Sequence, residues 1–415
     1  MDTLKIRDAR DVEEAVRAAI AGEQPLEIIG HGSKRLVGQV TATNAVLDLS
    51  PLNAVSAYEP QELIITVEAG APLSDVMSLL DSKNQQFAFE PVQLADLLAA
   101  PDDGTIGGMI GAGFAGPRRI KAGGVRDHLL GAHAVSGFGD SFKTGGKVVK
   151  NVTGYDLCKL LAGSWGTLAV MTEVTLKVMP RPEAESTLLI RGLDPLAANR
   201  AMTAGLGSPF DVSAAAHVPA SALHGEVAGL VEVGSPGEAV TLLRLEGIAA
   251  SVRHRAGLLT ETLKPFGAVE LVEEAPSQAA WGAIRDVRTF AASGPLGAWP
   301  VWRIVCPPAS GGALGEALAR ETGGEMIYDW GGGLIWAALP PQSNARPDGQ
   351  ATLVRQRANA LGGHAMLVRG SVELRSQIDV FHPQPAGLAA LSERVRNSFD
   401  PRRILNRGRL SREGV

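Results

Sequence analysis

The sequence predicts an α+β protein, because its opening part and its middle part each mix helical and strand patterns. The opening part reads as a helix, a strand, a glycine loop, further strands and a helix. The middle part alternates strand and helix patterns, which is typical of an antiparallel sheet with helices on one face. The chain has 415 residues, of which 45% are hydrophobic, and that is enough for two or three domains.

The helix and strand patterns of the opening part follow one another closely. Asp8 or Asp11 can cap a helix whose apolar residues recur at helical spacing until Gly22. Pro72 can open a second helix that runs through Leu80. The strands predicted between them are Leu26–Ile29, Ala45–Leu49 and Leu63–Ala69.

A glycine-rich stretch separates these elements from the next ones. Residues 101–146 have few apolar runs, so we expect a long irregular segment, which inside a compact domain is usually functional. Tyr155–Ala162 then reads as a short helix, and Thr167–Val178 reads as a strand. Pro180 and Pro182 end that strand and mark a boundary.

In the middle of the chain, predicted strands and helices alternate. The predicted strands are Thr187–Ile190, Val301–Val305, Leu334–Ala338 and Ala365–Arg369. The predicted helices are Gly237–Leu245, Ser277–Phe290, Gly312–Glu321 and Gln350–Leu361. One more helix, Pro385–Phe399, precedes the tail. We therefore expect domains at 1–182 and 183–375, followed by a C-terminal segment at 376–415.

Composition excludes several classes of partner and cofactor. The net charge is −5 and no Lys/Arg-rich block stands out, so nucleic acid is not an expected partner. Cys158 and Cys306 are too few for a four-thiolate zinc or iron–sulfur site, and we expect no metal. No stretch approaches the roughly 20 apolar residues of a membrane span. We expect a cytoplasmic protein, with peripheral attachment to the inner membrane through partners left open.

The first candidate for a ligand-binding segment is Gly30-His31-Gly32-Ser33-Lys34, which directly follows a predicted strand. Consecutive backbone N–H groups can converge in such a loop and bind an anion. Ser33 adds a hydroxyl donor and Lys34 adds a positive charge, which would suit a pyrophosphate. The alternative is an ordinary tight turn, and for this segment alone the turn is the commoner outcome.

The second segment runs from Asp102 to Arg119. Gly111, Gly113 and Gly116 spell the dinucleotide fingerprint GxGxxG, which works only between a buried strand and a helix N-terminus. Glycine-rich residues precede it and Pro117 follows it, so we reject a Rossmann reading. We expect the segment to wrap an extended ligand with its backbone amides.

The third segment runs from Gly123 to Val178 and contains Arg126-Asp127 and Gly163–Leu168. Each part also has an ordinary structural interpretation. Arg126-Asp127 could be an exposed ion pair that contributes little stability, and Gly163–Leu168 could simply be the start of a strand. The order of the three segments within one domain is the more specific observation.

With these motifs the chain resembles the FAD-binding domain of the vanillyl-alcohol oxidase and p-cresol methylhydroxylase (PCMH) superfamily. Within it, the chain is similar to the glycolate oxidase and D-lactate dehydrogenase branch, and especially to its E-subunit family. The matching motifs are Gly30–Lys34, Thr105–Gly108, Arg126-Asp127, Gly154–Leu157, Gly163–Leu168, Thr172–Leu176 and the tail Phe399–Asn406. The resemblance implies a two-lobed PCMH-type FAD-binding domain, an α+β cap domain and a C-terminal segment that returns to the FAD domain.

The resemblance also implies which residues bind FAD. They are Gly30, His31, Gly32, Ser33, Lys34, Thr105, Ile106, Gly107, Gly108, Gly111, Gly113, Arg126, Asp127, Gly166, Thr167 and Val170. Family members that tether FAD covalently have a histidine directly before the serine of the first loop. Gly32 occupies that position here and His31 lies one residue earlier, so we expect noncovalent FAD.

Oxidation of a 2-hydroxy acid by a flavin needs a base for the hydroxyl proton and a cation for the carboxylate. The candidates are Arg303, His364 and His382, with Arg369 considered beside them. The family's histidine motif of the catalytic D subunit has no counterpart here. We therefore expect an FAD subunit of a glycolate oxidase complex, with a second FAD subunit and an iron–sulfur subunit as partners. A self-sufficient oxidoreductase for another 2-hydroxy acid and a non-catalytic scaffold are the alternatives.

Overall fold

The computed structural model describes residues 2–41, 43–146, 155–224, 227, 229–231, 233, 237–341 and 348–412. Gly154, which begins the predicted Gly-Tyr-Asp-Leu motif, lies outside these described residues. Below, the N-terminal region means residues up to 182, the central region means 183–375, and the C-terminal segment begins at 376.

The N-terminal region combines a parallel sheet with an antiparallel one. The parallel sheet has the strand order β1-β3-β2, the antiparallel sheet has the order β4-β5-β9-β7-β8, and β6 pairs with β10. The strands are β1 Asp2–Lys5, β2 Leu26–Ile29, β3 Ala45–Asp48, β4 Val55–Glu59, β5 Ile64–Glu68, β6 Gln85–Gln86, β7 Leu129–Ser136, β8 Ser141–Gly145, β9 Ala169–Lys177 and β10 Met179–Pro180. The helices are α1 Ala9–Ala21, α2 Leu73–Asp81, α3 Ala95–Leu98, α4 Ile106–Ala112, α5 Arg119–Ala122, α6 Val125–His128 and α7 Cys158–Leu161.

Most of the predicted elements of this region are confirmed. The side chain of Asp8 caps α1 by accepting from the backbone N–H groups of Arg10 and Asp11. The prediction of an irregular segment at 101–146 is wrong, because it holds short helices as well as the paired strands β7 and β8. Glycine and alanine recur in helix α4 and strand β7, so these two elements carry little hydrophobic periodicity although most of their residues are buried.

The central region is built on one long antiparallel sheet with the order β14-β11-β13-β12-β16-β17-β15-β18. Its strands are β11 Ala184–Arg191, β12 Ala214–Val218, β13 Val240–Gly247, β14 Val269–Glu273, β15 Val301–Val305, β16 Glu325–Asp329, β17 Leu334–Ala338 and β18 His364–Arg369. Its helices are α8 Pro195–Leu206, α9 Ala249–Leu263, α10 Glu274–Arg285, α11 Gly311–Thr322, α12 Ala351–Asn359 and α13 Val372–Gln377, and the C-terminal segment adds α14 Ala386–Phe399.

Two expectations for this region need correction. The predicted helix Gly237–Leu245 is instead strand β13, which lies between β11 and β12 and is buried along most of its length. A short apolar run does not distinguish a buried strand from a buried helix. The helices also do not all share one face. Leu188 of β11 packs with α9 on one face of the sheet. The adjacent residue Thr187 points to the opposite face, where it accepts a hydrogen bond from Trp281 of α10.

Buried ion pairs and apolar contacts join the N-terminal and central regions. Arg244 of β13 donates to both carboxylate oxygens of Glu90, at 2.8 and 3.1 Å, and lies 4.8 Å from the ring of Trp281. Arg118 donates to Glu246 at 2.9 Å. One apolar cluster contains residues of both regions, so the sheet packs directly on the glycine-rich part of the N-terminal region.

Candidate functional site

The first glycine segment follows β2 and contacts the second segment. Gly32 has a φ of +75°, which favours glycine. A side chain at Gly30 would overlap Thr105, and one at Gly104 would overlap Ser33. The two predicted segments therefore approach each other so closely that only glycine fits at their contact points.

These segments line one cavity that opens to solvent. Three predicted stretches line it: Gly30–Lys34, part of 104–112, and part of 165–171 that includes Gly166 and Val170. Segments separated by more than a hundred residues in sequence thus meet around one space. Helix α4 supplies one wall and lies so close to the end of β5 that a Cβ on Gly107 would be 2.8 Å from the carbonyl oxygen of Ala69.

Two buried cations face this cavity. The Lys34 ammonium donates to the carbonyl oxygen of Asp103 at 3.1 Å, and burial lowers the pKa of Lys34 to about 8. Arg409, from the C-terminal segment, donates to the carbonyl oxygen of Arg35, and its Nε has no hydrogen-bond partner in the described structure. Burial lowers the pKa of Arg409 to about 10. Both side chains would be stabilised by an anion in the cavity.

The C-terminal segment also completes the cavity wall through Asn406. Its Oδ1 accepts from the backbone N–H of Ile28, and its Nδ2 donates to the carbonyl oxygen of Trp165, each at 2.8 Å. Asn406 therefore joins β2 to the third glycine segment. A side chain at Gly166 would come within 2.7 Å of this amide, so that glycine is required by its close approach.

A second, wider space adjoins the first, and Ala112 and Trp165 line both. It lies between the N-terminal region, β15, β18 and α14, and all three predicted catalytic residues line it. The Arg303 guanidinium lies 5.0 Å from the ring centre of Trp330 and 5.7 Å from that of Phe114. Burial, with a smaller effect of Arg119, lowers the pKa of Arg303 to about 10.

Arg119 also lies over Trp330, with its guanidinium 4.8 Å from the ring centre, and lines the second space. Its distance from Arg303 is short enough for repulsion to contribute to the lowered pKa of Arg303. Two guanidinium groups around one indole ring form a site suited to a small anion such as a carboxylate.

The two histidines of the second space differ in their contacts. His382 Nδ1 accepts from the backbone N–H of Ala365 at 3.1 Å, so its Nε2 carries the proton and donates to Asn359 at 2.8 Å. The ring centres of His364 and His382 are 6.3 Å apart. Burial first, and then the charge of Arg303, lowers the pKa of His364. At neutral pH His364 is therefore neutral and able to accept a proton.

Several predicted residues lie away from the first cavity. Gly113 and Thr167 line the second space instead. Ile106 is fully buried in the apolar core of the N-terminal region. Arg126 and Asp127 lie on α6, where Asp127 accepts from the backbone N–H of Gly124 at 2.8 Å and caps that helix.

Two further side chains are committed to neighbouring groups. His31 lines the first cavity, and its Nδ1 lies 3.0 Å from a carboxylate oxygen of Asp102. Arg369 donates to the backbone carbonyl oxygens of Trp299, Leu97, Phe290 and Leu296, so it closes the end of β18 and is not available to a ligand.

Sequence reasoning assigned no site role to Arg119, Trp165, Asn406 or Arg409. Trp165 and Asn406 belong to motifs that the resemblance already contained, Gly163–Leu168 and Phe399–Asn406, and those motifs were the available signal. Nothing local marks Arg409, because its place at the cavity depends on the return of the C-terminal segment to β2 through Leu405.

Within the described residues, no helix has both the length and the apolar character that a bilayer crossing requires. Nor do three or more His, Cys, Asp or Glu side chains of that part of the chain gather into a metal-binding group.

Comparisons with known proteins agree with this geometry. Residues 3–145 match the family model of an FAD binding domain. The glycolate oxidase subunit GlcE of Escherichia coli (strain K12) is 30% identical over 402 residues, which is 96% of this chain and 96% of that protein. The glycolate oxidase subunit GlcD of Bacillus subtilis (strain 168) is 34% identical over 184 residues, which is 43% of this chain and 38% of its own length.

Among solved structures, p-cresol methylhydroxylase with substrate bound matches with a TM-score of 0.70 at 14% identity, covering 99% of this chain and 88% of that chain. This likeness confirms the expected α+β fold of the PCMH type. The FAD binding domain confirms FAD as the cofactor.

The first cavity fits FAD on its own structural terms. Glycines from all three segments line it, so a flat or extended ligand can approach the backbone closely there. Lys34 and Arg409 place two cations where a diphosphate would neutralise them. The second space then offers room for a substrate beside the cofactor.

Proposed function

The chain belongs to the family of the glycolate oxidase subunit GlcE, and from this membership we propose that it is an FAD-binding subunit of a complex that oxidises glycolate to glyoxylate. One observation carries the proposal. The first cavity adjoins, at Ala112 and Trp165, a second space lined by Arg303, Arg119 and His364. Oxidation of a 2-hydroxy acid by a flavin needs a cation for the carboxylate and a base for the hydroxyl proton beside the cofactor.

We assign FAD, held noncovalently, to the first cavity. The backbone of Gly30–Lys34 and the cations of Lys34 and Arg409 would hold the diphosphate, while Gly104–Gly108 and Gly166 would let the cofactor approach the backbone. The side chain of His31 would stay with Asp102. When bound, the flavin supplies a two-electron acceptor for hydride from the substrate carbon.

The residues of the second space have separate roles in this proposal. Arg303 and Arg119 hold the substrate carboxylate against Trp330, which orients the hydroxyl-bearing carbon. His364, neutral at physiological pH, accepts the hydroxyl proton. His382 is a positioning residue, because its Nδ1 is occupied by the backbone N–H of Ala365, next to His364 on β18.

We propose that electrons leave the flavin through a partner. Cys158 and Cys306 are both buried, and two thiols cannot hold an iron–sulfur cluster in the usual four-thiolate way. Relatives of this chain are named as separate subunits of glycolate oxidase, GlcE and GlcD. We propose a second FAD subunit and an iron–sulfur subunit as the partners. The cytoplasmic location expected from the sequence stays a prediction.

The test begins with the visible absorption spectrum of the purified chain, followed by anaerobic addition of glycolate. Flavin absorbance in the purified chain supports the assignment of FAD, and bleaching by glycolate that is lost in Arg303→Met supports the roles given to the second space. Lys83→Met, at an exposed position just after α2, is the matched control for loss of one cation. A colourless chain contradicts the proposal and favours the scaffold.

A self-sufficient oxidoreductase is the second candidate, because one chain supplies both the cations and the base of the second space. Turnover of glycolate or lactate by the purified chain with a dye acceptor would favour it. Bleaching only after a partner subunit is added would favour the complex instead.

A further inference from the structure

Asp329 is a buried carboxylate close to the site of Arg119 and Arg303, which we call the carboxylate site. It ends β16 and is 3% exposed. Ile327, two residues earlier, belongs to the apolar cluster shared by the N-terminal and central regions, so strand alternation puts Asp329 on that face of the sheet. Arg303 of β15 lies on the same face, since Val301 belongs to the same cluster. Asp329 and Arg303 therefore face the N-terminal region together.

Asp329 also holds the turn that carries Trp330. Trp330 has a φ of +54°, which is rare for a bulky residue. The Asp329 carboxylate accepts from the backbone N–H of Trp330 at 2.7 Å, and the indole N–H of Trp330 donates to the carbonyl oxygen of Gly116 at 3.0 Å. An asparagine at position 329 could accept the first of these bonds through its amide oxygen, without the cost of a buried charge. The turn therefore does not explain why this residue is a carboxylate.

Asp329 and Arg303 influence each other as charges without forming an ion pair. Among the described residues, Asp329 has no salt bridge, whereas the neighbouring Arg244 pairs with Glu90. Arg303 likewise makes no hydrogen bond or salt bridge within the described part of the chain, and it contacts aromatic rings instead. Burial raises the pKa of Asp329, and the charge of Arg303 opposes that rise. The charge of Asp329 is thus felt at the carboxylate site and is not spent on a contact partner.

The balance of charges decides how tightly the carboxylate site holds an anion. Arg119 and Arg303 bring two positive charges to it, and ionised Asp329 brings one negative charge nearby. In a buried setting such charges act over several ångströms, so Asp329 repels the anion that the two arginines attract. The product of 2-hydroxy-acid oxidation keeps the carboxylate of the substrate. Two unopposed cations would therefore hold substrate and product equally tightly, which gains nothing in turnover.

We propose that Asp329 acts on the reaction through Arg303: its negative charge weakens carboxylate binding at Arg119 and Arg303, and this lets the 2-oxo-acid product leave. The inference rests on the proposed function, because it takes the second space to be the place of the substrate carboxylate. Asp329 does not line that space in the described structure, so it is a positioning residue and not a catalytic one. A buried carboxylate that lowers stability is retained where function requires it.

The experiment measures oxalate binding to the full, FAD-loaded chain by titration calorimetry. Oxalate carries the carboxylate group but has no C–H bond to oxidise. Above about pH 8, where Asp329 is ionised, Asp329→Asn should bind oxalate roughly three- to tenfold more tightly than the wild type. Glyoxylate, the product of the proposed reaction, should show the same difference. The matched control is Glu325→Gln, a half-buried position at the other end of β16, which should leave both affinities unchanged.

The pH dependence of this difference distinguishes a charge from a structural effect. The charged groups that face Asp329 are Arg303, Arg244 and Glu90. The pKa of Glu90 is lowered, that of Arg303 is about 10 and that of Arg244 is raised, so Asp329 is the member of this group that titrates near neutral pH. Below about pH 6 Asp329 is mostly protonated, and the two affinities should converge. His364, whose pKa burial lowers, titrates in both proteins alike.

Equal or weaker oxalate binding by Asp329→Asn above pH 8 would overturn this inference and leave the carboxylate site in place. A gain of the same size at low and high pH would overturn it too, because such a gain does not depend on the charge. An Asp329→Asn protein that fails to fold would contradict the account, which expects the neutral residue to be the more stable one. If oxalate bound neither protein, or bound Arg303→Met as tightly as the wild type, the carboxylate site of the proposed function would be wrong as well.

Discussion

Replacing Lys34 by methionine removes a buried charge from the FAD cavity while keeping most of the side-chain volume. Burial lowers the pKa of Lys34 from 10.5 to about 8. At about 1.4 kcal/mol per pH unit, that lowering corresponds to roughly 3 kcal/mol of folding free energy lost below pH 8. The FAD-free Lys34→Met variant should therefore be more stable than the wild type by up to about 3 kcal/mol at pH 7. Because the folded-state pKa is lowered, this difference should shrink as pH rises from 8 towards 10.5.

The same substitution should weaken FAD binding. A bound diphosphate pairs with the charged form of Lys34 and raises its pKa, so FAD affinity of the wild type should fall up to tenfold per pH unit above about pH 8. Lys34→Met should bind FAD more weakly at pH 7 and lose this pH dependence. Fluorescence titration gives the affinity and urea unfolding gives the stability, with Lys83→Met as the control. If Lys34→Met bound FAD as tightly as the wild type, with the same pH profile, the assignment of the diphosphate to Lys34 would be wrong.

Three further predictions concern buried charges. His217 is fully buried in β12, and burial lowers its pKa to about 4. As pH falls from 6.5 to 4, the free energy of unfolding of the wild type, measured with urea, should therefore fall by up to about 3 kcal/mol relative to that of His217→Asn. Burial raises the pKa of Asp329 to about 7, so Asp329→Asn should be more stable than the wild type at pH 8 by up to about 4 kcal/mol, and no more stable near pH 4. An equal difference in unfolding free energy at the two pH values would refute the raised pKa as its cause. Arg244→Met leaves the Glu90 carboxylate without its bidentate partner and should lower the free energy of unfolding by about 3–5 kcal/mol, measured by thermal or urea unfolding. The double variant Arg244→Met/Glu90→Gln should regain much of that stability, and a double variant no more stable than Arg244→Met would contradict this account.

Much of the fold could be predicted locally. Helix α1 has both its cap and its apolar spacing in the sequence, and strands β15 and β17 have the bounds that their apolar runs indicate. Strand β13 could not be predicted, because its run Val240–Leu245 suits a helix or a strand until its neighbours are known. Strand β7 could not be predicted either, because glycine and alanine interrupt its apolar pattern and it forms by pairing with β8 and β9.

The candidate site divides in the same way. The sequence by itself determined the three glycine segments and the FAD family, since these depend on residues close together in the chain. Only the tertiary structure decided that Gly30, Gly104 and Gly166 line one cavity, that Asn406 and Arg409 return to it, and that Arg119 joins Arg303 around Trp330. Such meetings depend on packing between residues far apart in sequence, and no local pattern specifies them.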